Sequence, residues 1–427
     1  MVINFSETVR VKKIAIIGSG ISGLTAAYYL NKHFDICLYE ADSRLGGHTA
    51  TKKVHVQGQD YLIDTGFIVF NDWTYPNFIH LMNELGVESQ ATDMGFSVFS
   101  PEQHFEYAGT NLATLFAQKR NLFSLKHWRM LRDIVRFNKE AVIDLDEGNL
   151  APNESLGNYL RRKNYSDAFV ERYLIPMGSA IWSATQGVML AFPLEFFIRF
   201  FKNHGLLNIT NRPQWRVIKG GSFAYIDPLT KSFKDKIKLN SPVTRAIRNK
   251  ASVSIICNGE SNEFDEVVFA CHSDQALAIL TDASDDERTL LGNIHYQKNS
   301  VVLHTDTRLL PQRKTTWSSW NYLLQRNNSL PPILTYSMNI LQGIKSATEF
   351  CVTLNADDKI DPQKILGKYE YSHPVFSQEA MEAQAAWPLI NAVNRTWFCG
   401  AYWFNGFHED GVKSALRVVK ALGVDPK

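Results

Sequence analysis

Apolar residues near the start of the chain form two short continuous runs with a helical pattern between them. Lys13–Ile17 and Ile36–Tyr39 are runs of the length and composition found in buried parallel strands. Between them, apolar residues recur three and four positions apart, which predicts a helix: Leu24, Ala27, Tyr28 and Leu30. The pattern therefore predicts a strand, a helix and a second parallel strand in close succession.

Three glycines separate the first strand from the helix with the spacing G-x-G-x-x-G. Gly18 permits a tight turn, Gly20 lets a pyrophosphate approach the backbone, and Gly23 lets the helix pack closely on the strand. The free amides of the first helical turn, at Ile21 and Ser22, and the helix dipole favour phosphate charge. An ordinary glycine turn is the alternative, and the strand–turn–helix–strand context favours a dinucleotide site over it.

The second strand ends in an acid and is followed by another glycine pair. A carboxylate at Glu40 suits a ribose with a free 2′-hydroxyl group. Gly46 and Gly47 follow Arg44, so this segment provides a backbone that can lie against a phosphate, with a guanidinium as charge partner. A glycine-rich surface turn is the alternative, and the position directly after Glu40 favours phosphate contact.

The rest of the chain changes pattern several times, which predicts a discontinuous two-domain organisation. Residues 111–205 are mostly helical and rich in aromatics, whereas 237–270 alternate apolar and polar residues as strands do. The C-terminal segment Trp397–Leu422 again reads as strand, glycine turn and helix. We predict a dinucleotide-binding domain that consists of 1–91, 212–284 and 391–427. The remaining residues, 92–211 and 285–390, are predicted to form a substrate domain.

Two stretches of the second domain leave alternatives open. Lys119–Arg136 carries six basic residues and one acid, with Phe123, Leu125, Trp128 and Leu131 among them. A solvated helix face over the core is favoured over a helix that rests on anionic lipid. Ala191–Phe201 carries five phenylalanines, for which core packing is favoured over the lining of an apolar substrate tunnel.

Composition narrows the class of protein further. The 427 residues are 45% hydrophobic and 21% charged, and the net charge of +2 gives no argument for nucleic acid as a partner. The five cysteines show no zinc-type spacing, so we expect free thiols in a reducing compartment and no metal site. Without a signal-peptide core or a membrane-length apolar run, we expect a cytoplasmic protein, with peripheral contact at the inner face of the membrane left open.

Together these residues resemble the flavin-containing amine oxidase superfamily, which includes FAD-dependent desaturases, isomerases and protoporphyrinogen oxidase. The resemblance is carried in family order by GSGISG (18–23), EADSRLGGHT (40–49), WRVIKGGS (215–222), DEVVFAC (265–271) and FCGAYWFNGFHEDGVKSAL (398–416). AIWS (180–183), NHGLL (203–207), SSWNY (318–322) and SHPVF (372–376) are similar to a bacterial group of predicted NAD/FAD-binding proteins. Members of that group are often found beside cyclopropane-fatty-acid-synthase-like enzymes.

The resemblance implies an α/β protein with a Rossmann-like FAD-binding domain of the amine-oxidase type and an α+β substrate domain. It implies that FAD is bound without a covalent link, with the adenine at Val243, the ribityl phosphate at Gly400, and a helix N-terminus after Gly406 beside the flavin. The implied cofactor-binding set is Gly18, Gly20, Ile21, Ser22, Gly23, Glu40, Ala41, Arg44, Gly46, Gly47, His48, Thr49, Val243, Gly400, Gly406, Phe407, His408 and Glu409. Cys399 is expected to pack rather than to tether the flavin.

The sequence indicates catalytic residues less clearly than cofactor-binding residues. The lysine that amine-oxidising members place beside the flavin has no match in Asn299–His304, which argues against amine substrates. His408 is a possible acid or base, and Tyr402 and Trp403 a possible aromatic wall over the flavin ring; a purely structural role is the alternative for each.

We therefore expect an FAD-dependent oxidoreductase that takes a hydride from an apolar small molecule or a fatty acyl lipid. A peroxide-forming amine oxidase, a flavin-dependent isomerase and a non-catalytic flavin-binding partner of a lipid-modifying enzyme stay open. Neither the electron acceptor nor the oligomeric state follows from the sequence.

Overall fold

The computed structural model describes residues 11–327 and 329–426, and the chain within it divides into two compact units. Unit 1 contains the described residues of 1–47, 225–293 and 382–427, and unit 2 contains those of 48–224 and 294–381. Residues 1–10 and 427, which fall in the predicted dinucleotide-binding domain, lie outside the described residues.

Unit 1 is organised around a parallel sheet. Among the described residues its strands lie in the order Ile237–Lys238, Asp35–Tyr39, Lys13–Ile17, Glu266–Phe269 and Thr396–Phe398. The opening strand, Lys13–Ile17, is central, and Ile14, Ala15 and Ile16 are fully buried, as expected of a strand covered on both faces. The next strand in the chain lies on one side of it and Glu266–Phe269 on the other, so the strand order reverses at the opening strand. The predicted Rossmann-like α/β arrangement is confirmed.

Helices and a small antiparallel sheet complete unit 1. The small sheet contains Val243–Arg248, Val253–Cys257 and Glu260–Phe264. The α-helices are Ile21–Leu30, Ile226–Thr230, Ser273–Ile279, Asp285–Gly292 and His408–Ala421. Trp387–Leu389 and Ala401–Trp403 form single 3-10 turns, and Lys231–Lys236 contains two 3-10 turns separated by a kink at Phe233. We refer to Ile21–Leu30 as the opening helix and to His408–Ala421 as the C-terminal helix.

Unit 2 is an α+β structure built on a mixed sheet. Among the described residues, the strands of this sheet lie in the order Ile365–Pro374, Tyr296–His304, Cys351–Leu354, Ile333–Ser337, Trp320–Leu323, Phe96–Ser100 and Phe105–Ala108. A hairpin joins Thr51–Val56 to Gln59–Asp64, and a further sheet has the order Val69–Asn71, Trp215–Ile218, Ser89–Ala91. One hydrophobic core contains Ile63, Val217, Leu303, Met338 and Phe350, so the hairpin and both sheets share it.

The helices of unit 2 are mostly short. Among the described residues its α-helices are Pro76–Glu84, Leu112–Leu115, Leu125–Asp146, Leu156–Arg162, Asp167–Phe169, Ile175–Trp182, Gln186–Ala191, Leu194–Asn203 and Met338–Gln342, and Gln378–Ala385 contains the boundary between the units. The π-helical segment Val170–Leu174 joins Asp167–Phe169 to Ile175–Trp182. No helix among the described residues has the length and apolarity needed to cross a bilayer.

The phenylalanine stripe of Ala191–Phe201 is part of the unit 2 core. Phe192, Phe197, Phe200 and Phe201 are each at most 4% exposed. They surround Trp182, whose ring centroid lies 4.6 Å from that of Phe192. Core packing, the favoured alternative, therefore accounts for the stripe.

The compact units and the predicted domains differ in four stretches. Residues 285–293 and 382–390, predicted for the substrate domain, belong to unit 1, whereas 48–91 and 212–224, predicted for the dinucleotide-binding domain, belong to unit 2. Strand pairing explains why 48–91 and 212–224 belong to unit 2, since Val69–Asn71 and Ser89–Ala91 both pair with Trp215–Ile218. The glycine pair of WRVIKGGS, which sequence alone places with the dinucleotide fold, follows that strand and so lies in unit 2 as well.

A buried acid fastens this glycine segment to the hairpin. The carboxylate of Asp64 accepts the backbone N–H of Ser222 at 2.9 and 3.0 Å and its hydroxyl at 2.9 Å, and the Thr51 hydroxyl donates to it at 2.5 Å. Burial raises the pKa of Asp64 to about 6 from its usual 3.8, and these hydrogen bonds oppose the rise.

The raised pKa predicts a pH dependence of stability. The folded carboxyl holds its proton more tightly than the unfolded one, so its contribution is fully present below pH 4 and is lost as pH rises through 6. Relative to Asp64→Asn, the wild-type free energy of unfolding should fall by about 2 kcal/mol between pH 4 and pH 6.5, the part of the pKa shift titrated in this range at about 1.36 kcal/mol per pKa unit. Urea unfolding of both proteins at pH 4 and pH 6.5 measures this. An equal difference at the two pH values would contradict it.

Candidate functional site

The carboxyl edge of the parallel sheet in unit 1 begins with the turn after the opening strand. The Gly18 N–H donates to the Tyr39 carbonyl at 2.9 Å, which ties the turn to the end of the neighbouring strand. A Cβ on Gly23 would lie 1.9 Å from the Gly18 carbonyl oxygen, so only glycine allows the opening helix to start this close to the strand. The helix N-terminus is thereby held at the sheet edge where the strand order reverses.

Gly20 has no comparable packing reason to be glycine. Its φ of −63° and ψ of 176° suit any residue, and a Cβ there would have no neighbour within 4 Å. The first backbone bond of the helix runs from the Leu24 N–H to the Gly20 carbonyl, so the amides of Ile21 and Ser22 have no acceptor within the helix. Helix amides without an acceptor in the helix, next to a glycine with open space at its Cβ, are the arrangement that holds a phosphate group.

Glu40 is fixed at the end of the second strand by a residue inside the glycine turn. One carboxylate oxygen accepts both the Ser19 N–H, at 2.9 Å, and the Ser19 hydroxyl. The other accepts the Asp42 N–H at 2.9 Å. Ser19 was not among the predicted site residues, although its place inside GSGISG could have indicated it. The bonds set the carboxylate beside the turn, where a ribose hydroxyl can donate to its remaining lone pairs.

The second glycine turn packs against the first. The Gly46 N–H donates to the Ser19 carbonyl at 3.0 Å, and a Cβ on Gly47 would lie 3.3 Å from the Gly20 Cα. The φ angles of Gly46 and Gly47 are +105° and +55°, a region that favours glycine. The Arg44 guanidinium donates to the Gly47 carbonyl at 2.7 Å, so a positive charge lies at this turn.

Residues 238–241, from the middle of the chain, contact the carboxyl end of the strand Asp35–Tyr39. The Ser241 N–H donates to the Glu40 carbonyl at 2.8 Å, and the Glu40 N–H donates to the Lys238 carbonyl at 2.9 Å. Val243 begins its strand two residues after Ser241, and Ala41 is exposed directly after Glu40. The predicted adenosine-binding positions therefore lie close together in unit 1.

The end of the chain completes the edge. Gly400 follows the strand Thr396–Phe398, and its N–H donates to the Ser414 hydroxyl at 3.0 Å. A Cβ on Gly411 would lie 2.6 Å from Ile21 Cγ2 and 3.0 Å from Ser22 Oγ. The first turn of the C-terminal helix therefore touches the first turn of the opening helix, and the two helix N-termini lie side by side.

The first turn of the C-terminal helix contains three buried titratable groups. His408 Nε2 lies 3.1 Å from the Tyr225 hydroxyl, and burial lowers the pKa of His408 to about 3, so its ring is neutral at pH 7. Asp410 accepts the Phe407 N–H at 2.9 Å, and burial raises the pKa of Asp410 to about 7. Glu409 is also buried. Tyr225 was missed by the sequence analysis, since nothing in the chain order links it to His408.

Tyr402 and Trp403 are almost fully buried on the turn between Gly400 and Gly406. Gln384 holds this turn by donating to the Tyr402 carbonyl at 2.8 Å. Gly406 has a φ of +93°, which turns the chain into the C-terminal helix. The Trp403 indole N–H is buried and has no hydrogen-bond acceptor among the described residues, so it is available to a bound group.

Two predicted cofactor residues fall in unit 2. His48 and Thr49 begin that unit, and the His48 carbonyl accepts the Phe67 N–H at 2.8 Å. The His48 ring centroid lies 5.1 Å from that of Tyr371 and 5.6 Å from that of His373. The structure groups these three rings within unit 2, and the cofactor role of His48 and Thr49 stays a prediction.

In the strand Tyr296–His304, which contains the segment where the sequence analysis looked for a lysine beside the flavin, the buried positions hold other residues. His304 is fully buried, with Nε2 2.7 Å from the Thr353 hydroxyl and Nδ1 accepting the Asp306 N–H at 3.0 Å. Lys298, one residue before the segment first considered, is exposed and pairs with Glu370 at 3.0 Å. Within the described part of this strand, no lysine side chain is buried.

The carboxyl edge of unit 1 fits a dinucleotide. It offers free helix amides behind an unfilled space at Gly20, a fixed carboxylate at Glu40, a guanidinium at Arg44 and an unpaired buried indole N–H at Trp403. Cys399 is fully buried and burial raises the pKa of its thiol, which suits packing and not attack on a flavin.

Comparison with known proteins agrees with this geometry. A family model described as flavin containing amine oxidoreductase matches residues 21–339. Coproporphyrinogen III oxidase of Bacillus subtilis is 24% identical over 307 residues, which cover 64% of this chain and 62% of that enzyme. The chain thus matches less than two thirds of this relative's length.

Solved structures show the same fold over nearly the whole chain. Cyclohexylamine oxidase from Brevibacterium oxydans has a TM-score of 0.66 and 16% identity, with 97% of this chain and 100% of that chain covered. A fatty acid isomerase from P. acnes that produces CLA has a TM-score of 0.68 and 16% identity, with 97% and 99% covered. At these identities the likeness concerns the fold alone.

The open space at Gly20 gives a direct test of the site. Gly20→Ala should leave thermal stability unchanged, because its backbone angles suit alanine and nothing adjoins its Cβ. With FAD bound, that Cβ would overpack the phosphates at about 1–3 kcal/mol, which is roughly a 5- to 150-fold loss of affinity. Calorimetric titration of the flavin-free protein with FAD measures this.

Gly187→Ala is the matched control. Gly187 lies exposed in the helix Gln186–Ala191 of unit 2 and also has open space at its Cβ. This variant should bind FAD as the wild type does. Equal FAD affinity of Gly20→Ala and the wild type would refute the assigned phosphate site.

Proposed function

The chain belongs to the flavin containing amine oxidoreductase family, and we propose that it is an FAD-dependent oxidoreductase that takes a hydride from an apolar substrate. The observation that carries the proposal is the contact between the first turns of the opening and C-terminal helices, at Gly411, Ile21 and Ser22. Two helix N-termini side by side concentrate positive potential at one sheet edge, which suits an anionic dinucleotide.

Each part of the edge has a task in this proposal. The amides of Ile21 and Ser22 hold the pyrophosphate, Glu40 accepts the ribose hydroxyls, and Arg44 adds positive charge to the phosphates. Bound FAD supplies the acceptor for a hydride. The N-terminus of the C-terminal helix favours the negative charge that the ring gains on reduction.

His408, Tyr402 and Trp403 are the proposed residues around the reacting ring. His408 is neutral and is oriented by the Tyr225 hydroxyl, so its proposed role is a hydrogen bond and not the supply of a positive charge. Tyr402 and Trp403 provide a buried aromatic surface, and the Trp403 N–H provides a donor. Together they would exclude water from the ring.

The apolar substrate class rests on two supports. The family's lysine is absent from Asn299–His304, which disfavours amines, and a structural neighbour is named for the isomerisation of a fatty acid. A fatty acyl chain, free or in a lipid, is the specific proposal. We expect cytoplasmic activity on such a chain.

Anaerobic titration tests this function. The purified protein should show flavin absorbance, release FAD on denaturation, and lose its visible flavin absorbance when the correct acyl lipid is added. A panel of saturated and unsaturated acyl lipids and a panel of amines are compared. Failure of every acyl lipid both to reduce the flavin and to be converted to a new product would exclude the substrate class.

The other outcomes of this titration point to different functions. Peroxide release with amines in air would indicate an amine oxidase. An altered acyl product without net reduction of the flavin would indicate an isomerase. Unchanged lipids and amines throughout would favour a non-catalytic flavin-binding partner.

The neutral state of His408 gives a second test. With a pKa near 3 the ring does not titrate between pH 6 and 8, so the rate of anaerobic flavin reduction should show no His408-dependent step in that range. His408→Gln should lower the rate by about tenfold, as the loss of one hydrogen bond of about 1.4 kcal/mol would, with the shape of the pH profile unchanged. A step near pH 6.5 that the variant abolishes would show instead that His408 acts as a titrating acid or base.

A further inference from the structure

Unit 2 exposes a cluster of large apolar side chains where a 3-10 turn meets a long helix. The turn is Lys119–Phe123 and the helix is Leu125–Asp146. The apolar tip, as we name it, comprises Leu122, Phe123, Leu125 and Trp128, which are 46%, 90%, 80% and 49% exposed. Single exposed leucines are ordinary on protein surfaces, but four large apolar residues within seven positions mark an interaction site.

The apolar tip is held in place. The Trp128 indole N–H donates to the Leu122 carbonyl at 2.9 Å, which ties the helix to the turn before it. The Ser124 hydroxyl caps the helix by accepting the His127 N–H at 3.2 Å. The Trp128 ring also packs on Phe116, with centroids 5.2 Å apart. The exposed side chains are therefore presented by an ordered backbone, at little further cost in conformational entropy.

Basic side chains surround the apolar tip. The basic collar, as we name it, comprises Lys119, Arg120, Lys126, Arg129 and Arg132, all exposed. Residues 107–132 contain no Asp or Glu. In the part of the chain that the structure describes, no ion pair involves Lys119, Lys126 or Arg129. The one adjacent acid, Asp133, is fully buried, where it accepts the Ser166 N–H and the guanidinium of Arg132.

We propose that the apolar tip and the basic collar dock this protein on a bilayer that contains anionic phospholipid. The apolar tip enters the boundary between headgroups and acyl chains, with Trp128 at the depth that indole rings prefer. The basic collar lies over the anionic headgroups, and its long side chains keep their charges in the headgroup layer. Charge complementarity selects this occupant, because a purely apolar protein partner would not need five cations around the contact, of which Lys119, Lys126 and Arg129 have no ion pair among the described residues.

The apolar tip and the basic collar contain none of the proposed cofactor-binding residues, so the inference does not depend on the proposed function. It adds a means by which the protein would reach a substrate that resides in a membrane. The helix end that we expected from sequence to be a solvated face over the core is, at Phe123 and Leu125, an apolar surface exposed to solvent.

Flotation with lipid vesicles tests the proposal on the full-length protein. The protein should float with vesicles of phosphatidylcholine and phosphatidylglycerol and should not float with phosphatidylcholine alone. Phe123→Ser and Leu125→Ser should each weaken binding about tenfold. Lys126→Gln and Arg129→Gln should each weaken it about fivefold, and binding of the wild type should fall as salt is raised from about 0.1 to 0.5 M.

Ile209→Ser is the matched control, since Ile209 is 66% exposed in unit 2 but lies outside the apolar tip. It should bind vesicles as the wild type does. Vesicles with brominated acyl chains should quench tryptophan fluorescence of the wild type and quench Trp128→Phe much less. Far-UV circular dichroism melts show that each variant is folded.

Three results would overturn the proposal. They are equal binding of the wild type to neutral and anionic vesicles, vesicle binding by both Phe123→Ser and Leu125→Ser that is as strong as that of the wild type, and absence of flotation of the wild type with either kind of vesicle. In that last case, a dimer in sedimentation experiments that Phe123→Ser dissociates would assign the surface to self-association instead.

Discussion

The close approach of the Gly23 Cα to the Gly18 carbonyl is the contact on which unit 1 depends. It sets the distance from the opening helix to the opening strand, and that distance places the helix N-terminus at the carboxyl edge of the sheet. The C-terminal helix then packs on Ile21 and Ser22 only because Gly411 has no side chain. A larger residue at either glycine would separate the two helix N-termini, and the concentration of positive potential at this edge would be lost.

The local part of this site could be predicted from the sequence. The segment from Lys13 to Glu40 specifies its own strand, turn, helix and strand, since each element is decided by neighbouring residues and by the spacing of three glycines. Gly46 and Gly47 follow directly and are placed by chain connectivity. The C-terminal segment was linked to this edge by resemblance alone, and the parallel pairing of Thr396–Phe398 with Glu266–Phe269 is what brings it there.

The remainder depends on contacts between residues far apart in the chain, which leave no local pattern. Tyr225 reaches His408, and Asp64 reaches Ser222, through side-chain hydrogen bonds that no periodicity indicates. The same reason explains 48–91, since the pairing of Val69–Asn71 and Ser89–Ala91 with Trp215–Ile218 joins residues more than 100 positions apart in the chain. The solvent exposure of Phe123 could not be predicted from the sequence either, since a helical pattern does not say whether a side chain faces a core or solvent.

The electrostatics of the C-terminal helix limit how pH can act on the cofactor edge. His408 stays neutral because it is buried, so the positive potential there comes from backbone dipoles and the Arg44 guanidinium. Asp410, whose pKa burial raises to about 7, is the exception. Its ionisation strengthens the hydrogen bond from the Phe407 N–H while opposing negative charge nearby. Because ionised Asp410 would oppose negative charge on a reduced flavin, the stabilisation of that flavin should be weaker above pH 7 than below it.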